Sequence, residues 1–423
     1  MSGLSVFLPP FASDYTGVCS TLFDFNDMVT INDAHCCTRT YVHFDEPRWA
    51  LRQRPTLCTM LRTIDAVFGN DEKVIGEMVE AAEKLDPDFA VILGSPVPAI
   101  IGMDMTGIAM EIEERWGKPV LGFDTTGFSR YDKGVSMALT ALLRRFAKDT
   151  EARVPFSVNI LGATPLDFGA GNNVPELKRY LEDNGFSVNG CFCMDADMEM
   201  VKNAGKAAVN LAVSAGGVAA ARYLNERVHT PWLADYPIGL SYGGTLCEKL
   251  SAICDGKEPA NDRENGTAYE DGVLIIWDQV LGNALRQALF SCGISDNIVV
   301  AGFFTMGSEL MQPGDFCIRD EKQLSEVLRK GGFYAVIGDP LLKRLPGMKG
   351  IPLFALPHPA VSGRVYWSEV PELLRLDVEK LADLLKENKE STRDEIYNLC
   401  GAAFLRKDLG HNENRCASFP GKH

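Results

Sequence analysis

Short runs of β-favouring apolar residues alternate with amphipathic helical stretches along nearly the whole chain, and this alternation restricts the fold more than any other feature. "FAVILGS" (89–95) opens with five apolar positions in a row, the pattern of a strand buried on both faces. It follows "DEKVIGEMVEAAEKLDP" (71–87), where Val74, Ile75, Met78, Val79, Ala82 and Leu85 recur at helical spacing and Pro87 closes the segment. A second helical stretch, "AIIGMDMTGIAMEIEERWG", leads into the next strand, "KPVLGFDT" (118–125). Strands joined through helices in this way pair in parallel, and the helices cover both faces of the sheet.

The rhythm restarts at "FSVNILGAT" (156–164) and again at "DGVLIIWD" (271–278). A chain of 423 residues is too long for one core. The expected class is therefore α/β, with three successive Rossmann-like parallel-sheet domains around a central cleft. The expected divisions are 1–150, 151–262 and 263–390, followed by a helix and tail over 391–423. The polar stretch 255–270, "DGKEPANDRENGTAYE", reads as a linker. Ligands of such sheets bind beyond the carboxyl ends of the strands. The loops to examine are 94–102, 124–134, 162–172, 214–217, 278–283, 338–343 and 356–364. None carries GxGxxG, and the glycines of "LGATPLDFGAGNN" are irregularly spaced. No Walker A sequence occurs, so ATP hydrolysis by this chain is not expected.

Net charge excludes some partners. At −15 the chain has no basic excess to neutralise phosphates or to dock on an anionic membrane surface. No apolar run reaches membrane-spanning length, and "MSGLSVFLPPFASDYTGVCS" lacks the pattern of a signal peptide. Twelve cysteines then point to a reducing cytoplasm, with thiols serving as core residues, metal ligands or catalytic groups.

The stretch "INDAHCCTRT" (31–40) sets His35 beside Cys36 and Cys37. It reads either as a metal site or as two buried thiols next to a turn histidine. Cys19 and Cys58 are the other cysteines of the first unit. Cys191 and Cys193 alternate along a predicted strand, and Cys247 and Cys254 share a helix face; both pairs are expected in the core. Asp124 ends a strand and could donate a proton to a bound substrate or cap a turn. Asp278 and Asp339 are strand-end carboxylates of the third unit. Arg130, Lys133 and Arg364 could attract an anion, although exposed charges mostly face solvent.

Several of these loops together resemble one family, nitrogenase component 1 and the nitrogenase-like oxidoreductases. "DAVFGNDEKVIGEMVEAA" is similar to the family's Phe-Gly-Gly-acidic-Lys stretch, with Asn70 at the second glycine. "SPVPAIIGMDMTGIA" resembles its Cys-x-x-x-x-Ile-Gly-Asp-Asp loop. "VLGFDTTGFSRYDKGVSMAL" resembles its Gly-Phe-Lys/Arg-Gly segment. "AGKAAVNLAVSAGGVAAARYLNERVHTPWLADYPIGL" and "GIPLFALPHPAVSGR" match the second and third units. The resemblance runs from about residue 28 to 390, with its motifs in order.

The resemblance implies a three-domain subunit that pairs with a homologous subunit, receives electrons from an ATP-dependent iron–sulfur reductase and acts on a small-molecule substrate. It implies an iron–sulfur cluster, of [4Fe–4S] type and shared with the partner subunit, at Cys37 with Cys36 and Cys58 as further candidates. Thiolates are the soft ligands that iron–sulfur clusters use. The departures matter as much. Pro96 stands where the family's third cysteine would be, which argues against the larger nitrogenase cluster. The cysteine that carries the iron–molybdenum cofactor is matched by Ser214, and Pro357 takes the place of the cofactor's histidine, with His358 next to it. That cofactor and dinitrogen reduction are not expected. Ser214, Gly216 and His358 would instead border an organic substrate, with Asp124 or His358 as the proton source. The alternative is a cluster-poor scaffold, ligand-binding or cofactor-assembly protein of the same fold.

Overall fold

The computed structural model describes residues 5–399 except 70, 151, 265–271, 296 and 391–394. Asn70, part of the proposed linker and most of the tail therefore lie outside the described residues. Among the described residues, fourteen strands form three wholly parallel sheets. The first contains β1 (Asp27–Ile31), β2 (Thr56–Cys58), β3 (Phe89–Leu93) and β4 (Val120–Phe123), in the order β2-β1-β3-β4. The second contains β5 (Ser157–Leu161), β6 (Ser187–Cys191), β7 (Val209–Ala212) and β8 (Trp232–Ala234), in the order β6-β5-β7-β8. The third contains β9 (Gly272–Ile276), β10 (Ile298–Gly302), β11 (Phe316–Cys317), β12 (Phe333–Gly338), β13 (Leu353–Ala355) and β14 (Ile396–Asn398), ordered β11-β10-β9-β12-β13-β14.

Continuous apolar runs become central strands for a simple reason. Every residue of β3, β9 and β10 is buried, because helices cover both faces of each sheet. Each fully buried Val, Leu or Ile contributes about 1.5–3 kcal/mol relative to exposure. The helix Asp71–Leu85 buries Val74, Ile75, Met78 and Ala82 against β1 and β3, while Val79 is half-buried and Leu85 is exposed. The helix and tail expected over 391–423 lie mostly outside the described residues. Before them Val378–Glu390 is helical, and Ile396–Asn398 pairs with β13 as an edge strand. Three residues in a polar stretch carry too little periodicity to announce a strand.

The first and second units join along helix Tyr131–Phe146, which packs on helix Asp14–Leu22 on one side and helix Ala215–Val228 on the other. Gly17 and Gly134 permit the first contact: a Cβ on either would lie 1.9 Å from a backbone carbonyl oxygen of the facing helix. The segment before Asp14 crosses to the third unit. Backbone N–H groups of Val6, Phe7 and Leu8 donate to the Glu321 carboxylate at 2.7–3.2 Å, and Ala12 N–H donates to the Ala360 carbonyl at 2.9 Å. Phe11 packs edge-on against Phe303, with the Arg130 guanidinium 4.8 Å from its ring centre.

Each strand order reverses once: between β1 and β3, between β5 and β7, and between β9 and β12. The carboxyl ends beside these reversals are where ligands of such sheets bind. Those of the second and third sheets face one another, and that of the first opens onto the cysteine loop.

Candidate functional site

At the first reversal, β1 runs into Asn32 and Asp33, and the chain turns at His35 with φ 100° before the short helix Cys36–Thr40. Positive φ is sparsely populated for a residue with a Cβ and marks a constrained turn. Buried Asp33 organises this corner. Its carboxylate accepts Thr38 N–H at 3.0 Å and the Ser95 hydroxyl at 3.3 Å, and its carbonyl accepts Leu61 N–H at 2.9 Å and the Cys58 thiol at 3.4 Å. Cys36 is exposed, and Cys37 and Cys58 are half-buried. Burial and the Asp33 charge push the Cys37 thiol up to about 11, so little thiolate forms there at neutral pH without a metal or another positive charge. The structure thus brings Cys37 and Cys58 to one aspartate. Pro96 begins the helix Pro96–Ile101, next to Ser95.

Iron fits thiol donors, but a cluster usually takes four. Among the described residues, no group of three or more His, Cys, Asp or Glu side chains is placed to hold a metal ion. The cysteine corner is therefore an incomplete ligand set by itself.

The surface beside this corner is apolar. Helix Thr63–Phe68 exposes Ile64, Val67 and Phe68, the last at 82%, and it packs against helix Pro96–Ile101, which exposes Ile100. Met60 and Phe128 are exposed as well.

The second and third reversals face each other and close. Asp167, in the loop after β5, accepts the Tyr131 hydroxyl in a very short hydrogen bond and the Thr164 hydroxyl at 2.9 Å. His358 Nε2 lies 3.2 Å from the same Asp167 oxygen and 3.3 Å from the Tyr131 oxygen. Asp339 holds His358 by accepting its backbone N–H at 2.9 Å. Asp278 accepts N–H groups from Ala215, Val280 and Leu281 at 2.9–3.2 Å. Asp132 accepts Thr305 N–H at 2.8 Å. The rings of Tyr131 and Phe304 stand edge-on to His358 or to each other, 4.9–6.0 Å apart. His358 is 2% exposed, and the void left beside it is about 10 Å³, about the space of one water. Burial and the neighbouring Asp167 charge push Asp278 up to about 8. Burial also raises Asp339, and it lifts the Tyr131 phenol far above its usual range.

Other expected site residues are engaged with the protein. Ser214 is buried, and its hydroxyl donates to the Gly162 carbonyl at 2.7 Å. Gly216 meets helix Tyr131–Phe146, where a Cβ would come 2.8 Å from Val135. Asp124 caps helix Met105–Trp116, accepting Met105 N–H at 2.9 Å and the Thr106 hydroxyl at 2.8 Å. The cleft expected at the centre is thus packed with side chains from three units, most of whose polar groups are paired, while Asp132 Oδ1 and Trp277 Nε1 are buried without a partner. Cys191 and Cys193 are buried, although β6 ends at Cys191 and Cys193 turns at φ 95°. Lys133 and Arg364 are exposed.

Sequence reasoning missed Asp33, Tyr131, Asp167 and Arg48. Asp33 follows the carboxyl end of β1, and Tyr131 and Asp167 fall in the strand-to-helix stretches 124–134 and 162–172, a signal that was available. Arg48 lies in "FDEPRWALRQR" without any pattern. It is buried and donates to Glu46, Asp24, the Ser20 carbonyl and the Cys193 carbonyl, tying the first unit to the second.

Three parallel α/β sheets with a cysteine corner at one carboxyl end define a three-unit protein of the nitrogenase component 1 architecture. The chain belongs to the nitrogenase component 1 type oxidoreductase family, whose model matches residues 13–362. It is 28% identical over 193 residues to the nitrogenase molybdenum–iron protein alpha chain of Clostridium pasteurianum, covering 43% of this chain and 34% of that one. It is 24% identical over 269 residues to the nitrogenase iron-molybdenum cofactor biosynthesis protein NifE of the same organism, covering 62% and 58%. With a light-independent protochlorophyllide reductase subunit of Nostoc punctiforme it shares 24% over 208 residues, covering 47% and 41%. The matched stretches thus span between about a third and three-fifths of these relatives' lengths. A solved structure titled nitrogenase Cp1 at pH 6.5 superposes with a TM-score of 0.65 at 12% identity, covering 92% of this chain and 93% of that chain, which establishes the fold. No helix among the described residues is long and apolar enough to cross a membrane.

Proposed function

We propose that this chain is a nitrogenase-like redox subunit that works through its cysteine corner. It pairs with a homologous subunit across the apolar surface beside that corner. Cys37 and Cys58, with Cys36 as an additional donor, supply part of the ligand set of a shared iron–sulfur cluster, of [4Fe–4S] type. A cluster held there supplies one-electron chemistry. Electrons come from an ATP-dependent iron–sulfur reductase and serve a small organic molecule rather than dinitrogen. The reaction runs in a reducing cytoplasm. The observation that carries this reading is the meeting of Cys37 and Cys58 at Asp33, next to exposed Ile64 and Phe68. Partial thiol sets and apolar side chains on one face suit a site completed by a second chain.

The packed junction of the three units supports two further points. Ser214 and His358 are engaged inside the protein, which favours a chain without the iron–molybdenum cofactor. The same packing favours a second reading, a scaffold or cofactor-assembly protein that keeps the fold without catalysis at its centre.

The test is iron and acid-labile sulfide, measured on protein purified without oxygen together with its partner subunit. About four irons per cluster, lost in Cys37→Ala, are expected. Absence of iron from both the paired and the lone chain would leave the scaffold reading.

A further inference from the structure

One cavity lies away from both regions above. It has a volume of about 670 Å³ and opens between the first and second units, beyond the carboxyl ends of β5 and β6. That is within the size range of small-molecule sites. We propose that it binds a small organic anion with a flat apolar body and one carboxylate or phosphate. This assignment does not depend on the cysteine corner's role.

The lining divides by chemistry. Phe23, Val174 and Met194 form a buried apolar floor. The Arg48 guanidinium lies 4.4 Å from the Phe23 ring centre, so the aromatic face already carries a cation. Arg52, Lys178 and Arg179 stand around the opening.

The acids facing them are Asp24, Asp195 and Glu182. Asp24 is engaged: its two oxygens accept Arg52, Arg48 and Asp195 N–H. Asp195 pairs with Lys178 at 3.0 Å. Arg48 is balanced by Glu46 as well. Glu182 is an exposed opposing charge. Arg52 spends only one nitrogen on Asp24, and a guanidinium offers five N–H donors. Arg179 is exposed and leaves its fork available for a bidentate carboxylate or phosphate. An anionic head at Arg52 and Arg179 puts a planar body against Val174 and Met194, beside the Phe23 ring that Arg48 covers. Ala170 and Gly171, from the glycine-bearing loop of the second unit, leave the wall open because they carry almost no side chain.

The probe is anilinonaphthalene sulfonate, which joins a planar apolar body to one anionic group. It is titrated by fluorescence into the full chain carrying Ile64→Asp and Phe68→Asp, which breaks up the competing apolar surface of the first unit. One saturable site is expected. Arg179→Glu in that background weakens it about fivefold, the effect of reversing one partly exposed charge. Ala170→Trp fills the wall and abolishes it, with the melting temperature confirming that each variant is folded. Equal affinity and stoichiometry in all three proteins, or no saturable binding in the first, overturns the proposal. Addition of inorganic phosphate or benzoate to the parent titration separates the two head groups: the one recognised displaces the probe, and displacement by neither overturns the anion assignment.

Discussion

The carboxyl end of the first sheet and the facing carboxyl ends of the second and third are built from the same elements and finished in opposite ways. Both sit at a reversal of strand order, where this architecture places ligands. At the junction of the three units, the Asp167, Tyr131 and His358 side chains bond to one another, and Asp278 and Asp339 accept backbone N–H groups. At the cysteine corner, one buried aspartate organises the loop and the thiols remain at or near the surface. A buried polar network whose groups are mostly paired holds a region in one arrangement. A half-exposed thiol beside apolar surface leaves work for another molecule. The difference teaches that the position of a loop at a switch point does not by itself make a binding site; what decides is whether its groups remain within reach of another molecule.

The comparison can be broken most directly at Asp167. Asp167→Ala removes the acceptor of the Tyr131 and Thr164 hydroxyls and leaves His358 Nε2 without its carboxylate. Breaking such a buried network is expected to cost about 3–5 kcal/mol. Cys37→Ala, on the open side, is expected to cost less than about 1 kcal/mol. Urea unfolding of both variants measures the gap, and equal losses would erase the distinction between the regions.

A smaller effect concerns the apolar face. Ile64→Asp with Phe68→Asp is expected to weaken subunit pairing about a hundredfold, the scale of losing two central interface anchors. The lone chain should unfold at an unchanged urea concentration, because both side chains are exposed. Sedimentation velocity on the paired protein reads the first quantity, and urea unfolding of the lone chain reads the second.

The smallest effect sharpens the description of the sealed side. Asp278 is raised from 3.8 to about 8 by burial and by Asp167. Between those values the folded state keeps a proton that the unfolded state has released. The stability associated with that proton is complete below the unfolded value and is lost as pH rises through the folded one. Wild-type stability should therefore fall across this window more steeply than that of Asp278→Asn. The difference in slope has a ceiling of about 1.4 kcal/mol per pH unit for one proton. Urea midpoints from pH 5 to 8 provide the test, and parallel curves would show that Asp278 is ionised throughout.

Much of the architecture was legible in the sequence because parallel strands covered on both faces leave apolar runs such as "FAVIL" and "GVLII". Ile396–Asn398 was not, since a three-residue edge strand is specified by its neighbour β13 rather than by its own pattern. For the candidate site, loops 162–172, 278–283, 338–343 and 356–364 were flagged by the strand-end rule, and they contain Asp167, Asp278, Asp339 and His358. That these residues meet could not be read, because the contact is between units whose relative placement no local pattern encodes. Asp124 shows the same limit on a small scale. Its choice between proton donor and cap depended on where Met105 N–H would lie.

The segment before Asp14 has a consequence for biosynthesis. Leu8 N–H finds its acceptor on Glu321, 313 positions later in the chain. At 5–20 residues per second, a ribosome needs roughly 15–60 s to cover that separation. The first sheet and its helices can assemble during that wait. Val6, Phe7, Leu8 and Phe11 cannot reach their native positions until the third unit has been made. This segment is therefore among the last parts of the chain to dock, and its apolar side chains stay accessible to chaperones until the third unit has been made.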